Sequence, residues 1–366
     1  MNQWKELYEK KKMTVQEVAK HVKSGDVCAC PAALQEPYAI CDAVAERAKA
    51  GEISGVVHHS TLSATGGGYL DPELDGKYNY VSWFTSGSAR KSVQSGANTY
   101  MPTAFGMHPY HWRHTQERLD VLYTEVAPMD EHGYFTCGLA SAELVAMKER
   151  ASKILVQVNE KMPRTYGICT IHISEVTAIC EHSHDISQLI NPEITETDKI
   201  IGAMIANEVK DGSTLQLGIG GVPNAVGILL QEKKDLGIHT EMFTDSMVDL
   251  MLSGAVNNSK KPVNKGVSIS TLAWGSQKMY DFIHENRAFE LHPVDYTNDS
   301  YLMGQHDNFI SVNSCIEIDL FGQVCSESIG TKHFSGSGGQ LDFVRGANMS
   351  KGGKGFIAMY RQQKVV

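Results

Sequence analysis

Short apolar runs alternate with longer amphipathic stretches along the first half of the chain. "TVQEVAKHV" predicts a helix capped by Thr14, and "SGDVCACPA" predicts a strand that follows a Gly-Asp turn. Further helices are predicted at "PYAICDAVAERAK" and "LASAELVAMKERA", and further strands at "GVVHHS", "LDVLYTEVAPMD" and "KILVQVNE". This alternation is typical of an α/β domain with a largely parallel sheet.

The second half of the chain repeats this plan. Helices are predicted at "ETDKIIGAMIANEV", "NAVGILLQEKK" and "SMVDLMLSG", and strands within "DGSTLQLGIGGVP", "GIHTEMF" and "KGVSISTLAWG". A Gly-rich segment, 336–355, precedes "FIAMYRQQKVV", which predicts a last strand. We therefore expect two similar open-sheet α/β domains, over residues 1–190 and 191–366, with their boundary in the polar stretch "HSHDISQLINPEITETD".

Composition and charge argue against several classes of protein. A net charge of -9 over 366 residues, without a Lys/Arg cluster, argues against a nucleic-acid partner. No apolar run nears the roughly 18 residues that span a bilayer, and the charged start lacks the apolar core of a signal peptide. Eight cysteines without a C-x-x-C pair indicate reduced thiols and a cytoplasmic protein. They are Cys28, Cys30, Cys41, Cys137, Cys169, Cys180, Cys315 and Cys325.

One Gly-rich loop and one glutamate suggest a site in the second half. "LQLGIGGVPNAVGIL" predicts a strand, a turn and a helix with Pro223 in its first turn, where backbone N–H groups suit an anion. The pattern is neither a dinucleotide fingerprint nor a P-loop, and a tight turn explains its glycines equally well. Glu241 follows at or near the end of the next strand, flanked by Met242 and Phe243. Ligands of open α/β sheets bind beyond the carboxyl ends of strands, so we expect both features to face one crevice.

Other candidate groups carry less information. "SGSGGQLDFVRG" is a second Gly-rich loop near Lys351 and Lys354, which could approach a phosphate or could be a surface loop. The histidines of "HPYHWRH" and "EHSHD" are interpreted as solvated loop residues, and Pro109 argues against a regular helix through the first cluster. No metal site is predicted from either cluster, since ligands must converge from a fixed scaffold.

Several long motifs together resemble one family. "LQLGIGGVPNAV", "LGIHTEMFTD", "HPVDYTND" and "VNSCIEIDLFGQVCSESIGTKHFSGSGGQLDFVRGANMSKGGK" are similar, in order and spacing, to the acetyl-CoA hydrolase/transferase family. Within it, the motifs most resemble the 4-hydroxybutyrate and butyryl-CoA:acetate CoA-transferases. The resemblance extends through nearly all of the chain. It implies two domains of the CoA-transferase fold, commonly in a homodimer, with acyl-CoA and a short-chain carboxylate as substrates and no tightly bound cofactor.

The resemblance also implies roles for particular residues. Glu241 matches the family's glutamate nucleophile, and Asn298 matches a residue that helps to polarise the thioester carbonyl. The CoA-contacting loop matches Gly218, Ile219, Gly220, Gly221 and Val222, and further CoA contacts match Asn313, Gly336 and Lys354.

Two departures from the family pattern are visible. Relatives carry Asp-Gly where this chain has Asp245-Ser246, which is expected to reshape the turn after Glu241. Relatives also continue past the end of this chain into a segment with a "TEYG"-type motif. The C-terminal domain is therefore expected to be truncated.

The family chemistry is a ping-pong exchange through an acyl-glutamyl anhydride and a glutamyl-CoA thioester. Three alternatives stay open at the level of sequence. Water could replace the acceptor acid and make the protein a hydrolase; the chain could bind CoA without catalysis; or the histidine clusters could serve a metal-dependent enzyme.

Overall fold

The computed structural model describes residues 3–190 and 192–360 and divides the chain into two compact units. Unit 1 comprises Met1–Thr103 and Met107–Ser187, and unit 2 comprises Ala104–Gly106 and Gln188–Val366. None of the described helices is long and apolar enough to cross a membrane. All eight cysteines lie in the described part of the chain, and none forms a disulfide.

Unit 1 consists of short helices and strands that alternate along the chain. Its helices are α1 (Gln3–Lys11), α2 (Val15–Ala19), α3 (Tyr38–Lys49), α4 (Gly87–Gln94), α5 (His108–His114) and α6 (Leu144–Arg150). Its strands are β1 (Val27–Ala29), β2 (Val56–Thr61), β3 (Tyr78–Phe84), β4 (Thr99–Tyr100), β5 (Leu119–Val126), β6 (Tyr134–Thr136), β7 (Ala151–Val158), β8 (Tyr166–Gly167), β9 (Thr170–His172) and β10 (Ala178–Glu181).

The main sheet of unit 1 has seven parallel strands in the order β10-β7-β5-β1-β2-β3-β4. The strand order reverses between β1 and β5, so these two strands flank the switch point of a doubly wound sheet. Helix α3 covers one face because Ile40, Val44 and Ala48, spaced four residues apart, are fully buried. Helix α2 begins at Thr14, which forms the predicted cap together with Glu17.

Unit 2 follows the same plan. Its helices are α7 (Glu196–Glu208), α8 (Gly221–Leu229), α9 (Asp245–Leu252), α10 (Gln277–Ile283), α11 (Val294–Thr297), α12 (Ser300–Gly304) and α13 (Gln340–Met349). Its strands are β11 (Thr214–Leu217), β12 (Gly237–Phe243), β13 (Ser268–Ala273), β14 (Phe289–Leu291), β15 (Phe309–Ser314), β16 (Glu317–Ile318), β17 (Val324–Cys325), β18 (Ser328–Ile329), β19 (Lys332–His333) and β20 (Lys354–Ala358).

The sheet of unit 2 carries parallel strands in the order β20-β15-β11-β12-β13-β14. Its switch point lies between β11 and β15, and β12 is the next strand on the other side of β11. The prediction of an α/β protein with two similar open sheets is therefore confirmed. A ligand of unit 2 is expected beyond the carboxyl ends of β11 and β15.

Two local predictions were wrong. "HPYHWRH" forms helix α5 despite Pro109, because a proline in the first turn of a helix lacks only an N–H that would have no partner there. The Gly-rich tail is not a loop throughout, because helix α13 occupies Gln340–Met349 and buries Phe343 and Ala347. The last predicted strand is present as β20, and residues 361–366 of that prediction lie outside the described residues.

Candidate active site

Glu241 lies near the carboxyl end of β12, a strand paired on both sides, with β11 and β13. The neighbouring Thr240 and Phe243 are fully buried, whereas Glu241 is half-buried. The hydroxyl of Ser270 donates a hydrogen bond to the backbone carbonyl of Glu241 at 2.8 Å. The carboxylate is therefore carried by a rigid strand rather than by an exposed turn.

Asn298 contacts the Glu241 side chain directly. It is the residue that ends α11 and is only 3% exposed. Its Nδ2 donates to Oε2 of Glu241 at 2.8 Å and to Oδ2 of Asp342 at 3.2 Å. Its Oδ1 is buried and has no hydrogen-bond partner among the described residues. The two residues that the sequence assigned to catalysis are thus brought together.

His239 holds the segment that carries Asn298. It lies two residues before Glu241 on β12, and its Nε2 contacts the carbonyl oxygen of Thr297 at 2.7 Å. Complete burial lowers the pKa of His239 well below 6.5, so the imidazole is neutral and Nε2–H donates to that carbonyl. Sequence reasoning missed His239, although its spacing of two from Glu241 placed both side chains on one face of the strand.

Gly339 packs against the carboxylate. It is the N-terminal cap residue of α13, and a Cβ atom built on it would lie 1.8 Å from Oε2 of Glu241 and 2.3 Å from Nδ2 of Asn298. Its φ of -102° is open to any residue, so glycine is required there by space and not by backbone conformation. The run "SGSGG" indicated a close approach of backbone to another group, but the sequence-based prediction assigned the contact to Gly336 and not to Gly339.

Asp342 links α13 to Asn298. Its Oδ2 accepts hydrogen bonds from Asn298 Nδ2 and, at 3.1 Å, from the backbone N–H of Gly106. The segment Ala104–Gly106 belongs to the same unit, and the N–H of Phe105 also donates to the carbonyl of Gly338. Asp342 therefore orients the Asn298 amide, and nothing in the sequence signalled this role.

The predicted CoA loop runs from the end of β11 into the first turn of α8. The N–H of Gly218 donates to the carbonyl of Val312 at 2.8 Å, and Gly220 has a φ of 113°, which favours glycine. Gly221 has no room for a side chain, since its Cβ would lie 2.5 Å from Asp198. In the same loop Ile219 is about half exposed and Val222 is buried.

Asn313 lies beside this loop, near the carboxyl end of β15. Its Nδ2 donates to Ser311 Oγ at 2.9 Å and to Gln216 Oε1 at 3.2 Å. Because β15 and β11 flank the switch point, Asn313 and the loop 218–222 meet at one edge of the sheet. Glu241 faces the same edge from β12, one strand away.

The other two predicted contacts are placed differently. Gly336 is buried in the loop before α13, three residues ahead of Gly339. Lys354 opens β20 and pairs with Ile310, so it lies near the amino ends of the strands and forms an ion pair with Glu208. Three residues of strand, about 10 Å, separate its register from that of Asn313. The structure therefore does not place Lys354 beside Asn313 and the loop 218–222.

Ser246, where relatives were expected to have glycine, fits the turn after Glu241 without strain. It is the second residue of α9, and its hydroxyl lies 3.1 Å from that of Thr244. The neighbouring Asp245 accepts from the N–H of Ser276 at 2.9 Å. Helix α9 therefore starts regularly at this turn, and a change of the turn relative to the relatives stays a prediction.

The interpretation of the two histidine clusters as solvated loop residues is wrong for "HPYHWRH", which forms α5, and holds in part for "EHSHD", whose His182 and His184 lie in a loop and are partly exposed. His108 is 1% exposed, and its Nδ1 lies 2.8 Å from Oε1 of Glu143. His184 Nε2 lies 2.9 Å from Oε2 of the buried Glu125. Within residues 3–190 and 192–360, three candidate metal ligands converge elsewhere, at Cys30, Glu36 and His58, a set that sequence reasoning missed because its members lie far apart along the chain.

Comparison with known proteins places these features in context. Residues 1–191 match the acetyl-CoA hydrolase/transferase N-terminal domain, and residues 275–364 match the acetyl-CoA hydrolase/transferase C-terminal domain. The chain is 46% identical over 354 residues to the succinyl-CoA:cyclohexane-1-carboxylate CoA transferase of Geobacter metallireducens, which covers 96% of this chain and 79% of that protein. It is 39% identical over 365 residues to the butyryl-CoA:acetate CoA-transferase of Anaerostipes caccae, which covers 97% and 81%. The crystal structure of a 4-hydroxybutyrate CoA-transferase from Porphyromonas gingivalis superposes with a TM-score of 0.84 at 32% identity, over 99% of this chain and 84% of that one.

Proposed function

The chain belongs to the acetyl-CoA hydrolase/transferase family, as its motifs predicted, and is a CoA-transferase enzyme; we propose that Glu241 is its nucleophile. In this proposal, covalent attack by Glu241 exchanges CoA between a short-chain acyl-CoA and a carboxylic acid. One observation carries this proposal: the Glu241 carboxylate, on a rigid strand, is held by the Asn298 amide at 2.8 Å and packed against Gly339. Butyryl, 4-hydroxybutyryl and acetyl groups are the proposed acyl groups, with acetate as an acceptor, in line with the names of the butyryl-CoA:acetate and 4-hydroxybutyrate CoA-transferases.

The proposed cycle needs no metal ion. An oxygen of Glu241 attacks the thioester carbonyl, forms a mixed acyl-glutamyl anhydride and releases CoA thiolate. The thiolate then attacks the glutamyl carbonyl, which releases the first acid as its carboxylate and leaves a glutamyl-CoA thioester. The acceptor carboxylate attacks this thioester, and the two steps run in reverse to give the new acyl-CoA and free Glu241.

Asn298 is proposed to serve the reaction through its amide N–H groups. Hydrogen bonds from Nδ2 to Glu241 and Asp342 fix the direction of the nucleophile before the substrate enters. When Glu241 becomes acylated, the same N–H group is in reach of the oxygen that gains charge at the glutamyl carbonyl. A donor of this kind typically contributes about 3 kcal/mol to the stabilisation of such a transition state.

The loop 218–222 and Asn313 are proposed to bind CoA. Both lie at the switch point of the unit 2 sheet, where α/β folds bind their ligands. The loop ends in the first turn of α8, whose N–H groups suit the CoA diphosphate. Lys354 is not part of this proposal because it pairs with Glu208 near the amino ends of the strands, away from the loop 218–222. Gly336 remains a prediction, as do a homodimer and a cytoplasmic location.

The experiment is intact mass measurement after incubation with butyryl-CoA and no acceptor acid. We expect a CoA adduct on the peptide that contains Glu241, reversed by acetate and missing in Glu241→Ala. The matched control is Glu290→Ala, a partly buried glutamate on β14 that contacts His292 rather than Asn298. Steady release of free CoA without an adduct would favour hydrolysis, and binding of CoA without adduct or turnover would favour a non-catalytic chain. Either result would contradict the proposed mechanism.

A further inference from the structure

Three potential metal ligands meet in the core of unit 1. Cys30 follows β1, Glu36 follows the short 3-10 turn Ala33–Gln35, and His58 lies on β2. Cys30 Sγ lies 3.3 Å from His58 Nε2 and 3.8 Å from Glu36 Oε1, and the latter two atoms are 4.0 Å apart. The circle through three atoms at these separations has a radius of about 2.2 Å, within the range of zinc–sulfur, zinc–nitrogen and zinc–oxygen bonds. An ion near its centre would reach all three atoms without movement of the backbone.

The remaining atoms of these ligands are already held in the orientation that a metal requires. His58 Nδ1 lies 2.5 Å from the hydroxyl of Tyr78, so Nδ1–H can donate to it and leave the Nε2 lone pair directed at the centre of the cluster. Glu36 Oε2 accepts from Ser63 Oγ at 2.6 Å and from Tyr69 OH at 2.7 Å, which leaves Oε1 for the ion. Outer partners of this kind fix the tautomer and the direction of metal ligands.

The cluster also lacks a compensating cation. Cys30 and His58 are fully buried and Glu36 is 4% exposed, and within the described chain no lysine or arginine bonds to any of the three. A thiolate or a carboxylate that is buried in this way without a group of opposite charge is unfavourable. A divalent cation would balance a thiolate and a carboxylate at once.

The buried hydroxyl of Ser60 is a further observation that favours a bound ion. The Ser60 hydroxyl, 1% exposed and on the same strand as His58, has no hydrogen-bond partner within the described part of the chain. Ser60 lies two residues after His58, so both side chains lie on one face of the strand. A buried hydroxyl without a partner is costly, and a fourth position on a tetrahedral ion would satisfy it.

We propose that Cys30, Glu36 and His58 bind one Zn²⁺ ion, with the Ser60 hydroxyl beside the fourth position. A thiolate, an imidazole and a carboxylate are a ligand set that favours zinc among divalent ions. Binding displaces the thiol proton of Cys30, and the carboxyl proton where Glu36 carries one, to solvent. The ion fastens the turn after β1 to β2, and that turn includes Ala33 with a φ of 59°, a conformation that a side chain disfavours. The site is structural and takes no step in CoA transfer.

The test compares zinc content in the full chain, expressed without a histidine tag in zinc-supplemented medium and dialysed before elemental analysis. We expect about one Zn²⁺ per chain in the wild type and in Cys28→Ala, and at least a tenfold lower content in Cys30→Ala. Cys28 is the matched control because it is equally buried and two residues away in the same core. Equal zinc content in the two variants, or no zinc in the wild type, would overturn the proposal.

A second measurement does not depend on a variant that folds. Wild-type protein from cobalt-supplemented medium should show the thiolate-to-cobalt charge-transfer band and the intense visible bands of tetrahedral Co²⁺. Their absence would mean that Cys30 and His58 form only a buried thiol–imidazole hydrogen bond. In that case the proposal is wrong, whatever the activity of the enzyme.

Discussion

A methyl group added at Gly339 tests whether the Glu241 carboxylate must stay where it lies. The Cβ of Gly339→Ala would start 1.8 Å from Oε2 of Glu241, whereas Cβ atoms essentially never approach another heavy atom within 3.0 Å. The carboxylate, or the start of α13, must therefore move by at least 1.2 Å, the difference between these two distances. The same methyl group would meet Nδ2 of Asn298 at 2.3 Å and break its hydrogen bond to the carboxylate.

We expect Gly339→Ala to lower the rate of CoA transfer strongly and the folding stability modestly. A displacement of about 1 Å at a reacting group can cost about 10²-fold, and a lost hydrogen bond to a charged group costs about 1.5–3 kcal/mol. We therefore expect kcat for butyryl-CoA and acetate to fall about 100-fold or more in Gly339→Ala. Overpacking of this size lowers the free energy of unfolding by about 1–3 kcal/mol, so the variant should remain folded at 25 °C.

The assay is steady-state transfer, followed by release of acetyl-CoA, with circular dichroism melts on the same samples. Gly355→Ala is the matched control, because its Cβ would meet only Val344 at an ordinary contact distance of 3.6 Å in the same unit. It should keep nearly wild-type kcat. A Gly339→Ala enzyme within threefold of the wild type would show that Glu241 does not act from this position, and the reasoning would fail.

Three further predictions follow from the same contacts. Glu241→Asp should lose nearly as much transfer activity as Glu241→Ala, because a carboxylate withdrawn by one methylene misses the thioester carbonyl; a normal adduct in the mass spectrum would contradict this. Asn298→Ala should lower kcat by about 100-fold or more with KM for CoA esters little changed, whereas a change confined to KM would mean that Asn298 only binds substrate. The pKa of His184 is raised, since its hydrogen bond and charge interaction with Glu125, together with Asp185, outweigh burial, which lowers it. This contribution is complete below the unfolded pKa of about 6.5 and is lost as pH rises through the raised folded value, so His184→Gln should reduce the melting temperature more at about pH 5.5 than at about pH 8.5.

The two catalytic candidates illustrate how far motif and geometry agree. Glu241 and Asn298 are 57 positions apart and come from a central strand and from the end of a short helix, yet they meet at hydrogen-bond distance. Family resemblance alone paired them. The groups that orient the pair carry no motif: His239 acts through the carbonyl of Thr297, and Asp342 acts through the Asn298 amide. Such residues are found only once the contacts are known.

Local features of the fold were predictable from the chain because their causes are local. The capping box at Thr14 requires only a hydroxyl and Glu17 three residues later, and the strand that carries Glu241 required only a short, mostly buried run between two helices. The helix through Pro109 was missed for an equally local reason, since a proline breaks a helix interior but suits its first turn.

The sequence by itself thus determined the α/β class, the repeated plan of the two halves, the family and the identity of Glu241 as the residue to test. The tertiary structure alone decided which groups surround that residue. Strand order and the packing of α13 place Gly339 against Glu241. They place Lys354 near the amino ends of the strands in the same sheet. The physical reason is that periodicity and capping depend on neighbours within a few positions, whereas a site is built where crossovers return distant segments to one edge of a sheet. The convergence of Cys30, Glu36 and His58 in the core of unit 1 has the same origin.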